Sequence, residues 1–162
     1  MSQTMTLTVH ATNLLTANQR AHWAVRARLT RTLRHAAAIS ARAQGIEPMR
    51  RAHLTVHVSW PDRRRRDVHN VMPTIKAIVD GLVQDAGVLP DDDDTHLTGP
   101  DLRVTAEMSG LRGVTRFVLV LDDPLRVAET APGAPNATAR VSVGGSQIPG
   151  RQTAVHEIGD EQ

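Results

Sequence analysis

The sequence predicts a single small α+β domain: one mixed β-sheet with two helices packed on it, in the order β-α-β-α-β-β. Three observations lead there. Three stretches alternate apolar and polar residues at a period of two, and a fourth is an almost continuous apolar run. Two longer stretches repeat apolar residues at helical spacing. Each helical stretch is framed by strand-like ones.

The elements follow in order. Met5, Leu7 and Val9 alternate with polar residues and predict a short strand. Residues 13–22 read as a loop. A long helix is expected from about Ala21 to Ala43, with Val25, Leu29, Leu33, Ala36 and Ser40 as its inner stripe. Arg28, Arg31, His35 and Arg42 share another face. Gly45, with Pro48 beyond it, ends the helix. Leu54, Val56, Val58 and Trp60 alternate with His53, Thr55, His57 and Ser59, the clearest strand in the chain, and Pro61 stops it. A second helix is expected from Pro73, a favourable first-turn residue. Its stripe is Ile75, Ile78, Val79, Leu82, Val83 and Ala86, and Gly87 ends it. Leu102, Val104, Ala106 and Met108 predict a third strand, and Gly110 and Gly113 bracket a turn. The last strand, Val114 to Leu121, is apolar on both faces and is expected to be central. From Pro124 to Gln162 the chain is rich in Ala, Gly, Pro, Thr and Ser. Two regions are therefore expected: a folded domain over 1–123 and a flexible tail over 124–162.

Composition narrows the function classes. Without cysteine there is neither a disulfide framework nor a thiolate zinc site. No apolar run approaches the roughly 20 residues of a membrane span. The N-terminus has no signal-peptide pattern, so a cytoplasmic protein with no membrane partner is expected. The net charge is +2, with 18 arginines and a single lysine, Lys76. Arginine suits bidentate contacts to phosphate, although a GC-rich genome also favours it. Genome bias does not explain clustering: Arg63, Arg64, Arg65 and Arg66 are consecutive. Aromatic residues are scarce, only Trp23, Trp60 and Phe117, which argues against single-strand binding on stacked platforms. Recognition of the backbone and shape of a duplex or branched DNA fits better.

The chemistry concentrates between Asp62 and His96. The arginine run is followed at once by Asp67, His69 and Asn70. Lys76 and Asp80 stand four residues apart on the border of the second helix's stripe. Asp91, Asp92, Asp93 and Asp94 close the segment. Phosphodiester hydrolysis needs an activated water and neutralisation of the charge on phosphorus, and a divalent cation held by carboxylates can supply both. Asp67, Asp80 and the Asp91 to Asp94 run are candidate ligands. Lys76 is placed to orient a carboxylate or contact the scissile phosphate. Each has a plainer alternative: a solvated acidic loop, a surface Lys76–Asp80 pair worth only ~0.3–0.5 kcal/mol, a solvated or localisation-type basic patch.

The stretch PDRRRRDVHNVMPTIKAIVDGLVQDAGVLPDDDDTHL closely resembles the RusA-type Holliday junction resolvases, in particular their phage and actinobacterial branch. Arg65, Arg66 and Asp67 match the start of the pattern, and Asn70 its asparagine. Lys76, Asp80 and Leu82 match the helical element with its spacing intact. Asp93 and Asp94, before Thr95, His96 and Leu97, match the final acidic pair. The earlier LLTANQRAHWAVRARLT is similar to the family's N-x-R-x-H-W element. The resemblance covers residues 5–122. It implies a small homodimeric endonuclease, dependent on Mg²⁺ or Mn²⁺, that resolves four-way DNA junctions by paired symmetric nicks. Two-fold symmetry suits a task with two equivalent cuts.

The residues carried over as metal ligands are Asp67 and Asp94, with Asp80 as a further candidate and Asp93 sharing the role. The lysine carried over is Lys76. Arg63 to Arg66, Asn70, Arg20, His22, Arg28 and Arg31 are the expected DNA contacts. One departure stands out: His69 replaces the family's second carboxylate, and three extra residues including Pro73 precede Lys76. Histidine is a poor ligand for Mg²⁺ but acceptable to Mn²⁺. His69 is therefore open as a ligand or acid–base group, as a phosphate contact, or as a sign of weakened catalysis. Two other functions compete: a branched-DNA-binding protein that does not cleave, and a calcium-stabilised structural protein. The aspartate run lacks the spaced pattern of a calcium hand, which ranks the last reading lowest.

Overall fold

A computed structural model describes residues 2–123; the expected tail over 124–162 lies outside the described residues. The domain is a mixed four-stranded sheet with two helices. Strand β1 is Gln3–His10, helix α1 Trp23–Ala43, strand β2 Ala52–Ser59, helix α2 Met72–Asp80, strand β3 Leu97–Val104 and strand β4 Val114–Asp122. Short 3-10 turns at Ala11–Asn13 and Val68–Val71 precede the two helices. Among the described residues no helix is long and apolar enough to cross a membrane.

The sheet order is β1-β4-β2-β3. β4 runs antiparallel to both neighbours, pairing Leu119 with Met5 on one side and Val56 on the other. β2 and β3 are parallel, which requires a crossover, and α2 supplies it. Registry places Met5, Leu7 and Val9 of β1, Leu54, Val56 and Val58 of β2, and Phe117, Leu119 and Leu121 of β4 on one face. All nine are buried, in one cluster with Leu29 and Leu33 of α1 and Ile75 and Ile78 of α2. A fully buried side chain of this size contributes roughly 1.5–3 kcal/mol.

Four expectations are corrected. β4 is central, but only one of its faces is buried: Val118 and Val120 lie half-covered on the opposite face, beside the exposed Thr4 and Thr6 of β1. The buried stripe of α1 is Leu29, Leu33, Ala37, Ala38 and Ala41, while Val25 is exposed and Ala36 and Ser40 are half-buried. α1 meets α2 as well as the sheet, so the stripe turns toward its neighbour. The second helix does not run on as α-helix to Ala86. At Gly81 it becomes a π-helical turn through Asp85, closed by Ala86 N–H donating to the Gly81 carbonyl at 2.9 Å. Gly87, at φ +68°, then ends it as expected. The third strand begins at Leu97 instead of Leu102 and stops at Val104, because its partner β2 ends at Ser59. Pro100 is tolerated there because β3 is an edge strand.

Gly81 also sets the helix crossing. A Cβ at this position would stand 2.4 Å from the carbonyl oxygen of Arg34. Only glycine lets the two backbones approach this closely.

Candidate functional site

The arginine loop leaves the end of β2 and is organised around Asp62. Arg66 donates to it through both terminal nitrogens, at 2.7 and 2.9 Å, and the backbone N–H of Arg64 donates at 3.0 Å. The Arg66 guanidinium also lies 5.2 Å over the Trp60 ring. Arg66, then the Arg64 amide, hold the Asp62 carboxyl down at about 2. Arg66 is thus already engaged within the loop. Arg63, Arg64 and Arg65 are exposed, and all three line a cleft with Val104, Glu107 and Met108.

The next turn carries Asp67, His69 and Asn70. Asp67 accepts from the His69 backbone N–H at 2.9 Å, capping the 3-10 turn. The side chains of Asp67 and His69 are both exposed. Asn70 is half-buried: its side-chain oxygen accepts from Asn18 at 3.1 Å and its carbonyl from Ala17 N–H at 2.8 Å. One turn later, the buried Thr74 hydroxyl accepts from Leu15 N–H and donates to the Leu15 carbonyl, both at 2.8 Å. The loop before α1 is therefore stapled to the start of α2. Sequence reasoning gave Asn70 to DNA and did not single out Asn18. Two polar residues 52 positions apart carry no local signal of pairing.

On α2, Lys76 bonds Asp80 at 2.8 Å and also reaches Asp92. The two carboxylates, Asp80 first, raise the Lys76 ammonium, and Lys76 lowers the Asp92 carboxyl. The Lys76 side chain is 59% exposed, so these pairs order side chains more than they stabilise the fold. Asp92 and Asp94 line one small cavity of about 210 Å³ with Lys76, Met72 and Leu97.

Asp93 is occupied differently. Its carboxylate accepts from the backbone N–H of Thr95 at 2.9 Å and of His96 at 3.1 Å, and from His96 Nδ1 at 2.7 Å. These bonds, His96 first, lower its carboxyl, as expected of a turn cap. The structure thus brings Lys76, Asp80, Asp92 and Asp94 together. Asp92 is the member that sequence reasoning had not narrowed to, since four identical neighbours give no clue to which one faces inward.

Asp67 and His69 do not join this cluster through any hydrogen bond or ion pair, and Asp67 does not line the cavity. Among the described residues, no group of three or more His, Asp or Glu side chains is disposed to hold a metal ion. The oxygen donors of Asp80, Asp92 and Asp94 suit a hard cation in kind. In arrangement Asp80 and Asp92 are bridged by the Lys76 ammonium, and Asp94 lines the cavity beside them.

The remaining expected contacts lie on or beside α1. Arg20, Arg28 and Arg31 are exposed. His22 caps α1, its Nδ1 accepting from Ala24 N–H at 3.3 Å, and its ring lies against Trp23. Arg31 opens onto a cleft with Arg34, His35, Arg42 and Asp85. There Asp85 takes up Arg34 at 2.6 and 2.9 Å, while its backbone carbonyl accepts from Arg42. On the sheet, His53 bonds Thr98 at 3.0 Å and Asp101 at 3.3 Å, a structural role. No family model matches the chain, and a search of curated proteins finds no match.

Proposed function

We propose that the chain is a metal-dependent, structure-specific DNA endonuclease that resolves four-way junctions as a homodimer. The observation that carries this reading is the meeting of Lys76 with Asp80 and Asp92, with Lys76, Asp92 and Asp94 lining one cavity. These residues come from two separated segments, and the exposed arginines stand just upstream of them. Arg63, Arg64 and Arg65 neutralise DNA phosphates. Lys76 holds the carboxylates apart and in place. Asp80, Asp92 and Asp94, with Asp67 and Asp93 as the other donors implied by resemblance and His69 standing where the family has a further carboxylate, would hold Mg²⁺ or Mn²⁺. When bound, the ion supplies an activated water and neutralises charge at phosphorus. Two protomers related by a two-fold axis present two equivalent sites to opposed strands.

A second reading is favoured by one observation: Lys76 bridges Asp80 and Asp92, and among the described residues no group of three or more His, Asp or Glu side chains is disposed to hold a metal ion. On it, the same basic surface binds branched DNA without cutting.

Incubation of a labelled four-way junction with the purified protein and either cation separates the two. Paired symmetric nicks are expected, lost in Asp67→Asn and Asp94→Asn while binding persists. Binding without nicks in both cations leaves only the second reading. No binding excludes both.

A further inference from the structure

We infer that Trp23 is a base-stacking contact that takes an unstacked base at the branch point of the DNA. This rests on the branched-DNA reading above. The chain has three Phe or Trp residues, and two are used by the fold. Phe117 is fully buried, and Trp60 is half-buried beneath the Arg66 guanidinium. Trp23 is 74% exposed, the most exposed large apolar side chain among the described residues. An indole left in water forfeits a large burial gain.

Its mounting is firm. Trp23 is the first residue of α1, its ring 5.5 Å from that of His22, which caps the helix. The preceding loop is tied down by the Asn18–Asn70 and Leu15–Thr74 bonds. Those ties connect it to the turn that carries Asp67 and His69, so Trp23 is fixed relative to candidate site residues.

The surroundings select the occupant. Of the six arginines in the first 46 residues, Arg34 and Arg42 are engaged by Asp85, and Arg20, Arg28 and Arg31 are exposed. Arg20 and Arg28 stand on either side of Trp23 in the chain. A second copy meeting this end of α1 with its own would set these arginines against one another, whereas nucleic acid complements them. Within a continuous duplex the base faces are covered by their neighbours. At a branch point a base face is open, and a single aromatic ring can cover one. The scarcity of aromatics excludes a stacking platform along a strand and leaves room for one stacked base.

The test uses the full chain, a four-way junction carrying 2-aminopurine at the branch point, and a matched continuous duplex. The wild type should quench the probe. Trp23→Ala should lose the quench and bind the junction roughly 10-fold more weakly, with duplex affinity and Tm unchanged. Trp23→Phe should keep most of both. Wild-type junction affinity in Trp23→Ala overturns the inference while leaving nuclease function intact. So does an equal loss on junction and duplex. A change in sedimentation of the DNA-free variant with unchanged junction affinity would assign Trp23 to a protein contact instead. A wild type that binds neither DNA removes the branched-DNA reading itself.

Discussion

Lys76 on α2 is bonded to Asp92, sixteen residues away in the chain, whereas the adjacent Asp93 is bonded to His96. Neighbouring identical residues thus have separate roles. Asp92→Asn is expected to slow single-turnover junction nicking on the order of 100-fold with little change in Tm. Asp93→Asn is expected to lower Tm through the lost turn cap and to affect nicking less. Equal loss of nicking in both, with both melting as wild type, would refute this division.

The contact between Gly81 and the Arg34 backbone yields a stability prediction. A methyl group there must push the helices apart. Gly81→Ala should destabilise the domain by about 1–3 kcal/mol, seen as a lower urea midpoint. An unchanged midpoint would mean that the crossing yields without cost.

Asp62 organises the arginine loop, and its carboxyl is depressed to about 2 in the fold. A depressed carboxyl contributes order that is fully present above its unfolded value, roughly 3.9, and lost as pH falls through about 2. Carboxyl NMR should therefore place the Asp62 midpoint near 2, and Arg66→Ala should move it upward. A midpoint in the ordinary aspartate range in the wild type would deny the pair.

Arg64 and Arg65 are exposed, whereas Arg66 is held by Asp62 and Trp60. Replacing Arg64 and Arg65 together by alanine should weaken junction binding and flatten the log–log salt slope by up to about 2. An unaltered slope would make the run a solvated loop.

His69 is exposed next to Asp67 and lies where a carboxylate is expected by resemblance. Mn²⁺ should support nicking at least as well as Mg²⁺, and His69→Ala should erase any Mn²⁺ advantage. A large preference for Mg²⁺, the same in His69→Ala, would take His69 out of the metal's surroundings.

Much of the fold was legible because periodicity is local. The alternation of Leu54, Val56 and Val58 and the helical spacing of Ile75, Ile78 and Leu82 name an element without knowledge of its neighbours. Errors came where a neighbour decides. Ala106 and Met108 alternate as a strand should, but β2 has ended and leaves them no partner. Val118 and Val120 are apolar, but no helix of the described domain buries their face.

The candidate site divides in the same way. By itself the sequence determined the α+β class, the clustering of arginines ahead of carboxylates, and the i, i+4 pairing of Lys76 with Asp80, because each depends on composition or short spacing. Only the tertiary structure decided that Asp92 reaches Lys76, that Asp93 caps a turn, that Arg66 is already paired and that Trp23 stands in solvent. Those outcomes depend on where the loops after β2 and α2 turn back, and that is set by packing between distant segments. Of the Asp91 to Asp94 run, Asp92 bonds the Lys76 ammonium and Asp94 lines the cavity beside it, because the turn after α2 brings these two residues back to the helix.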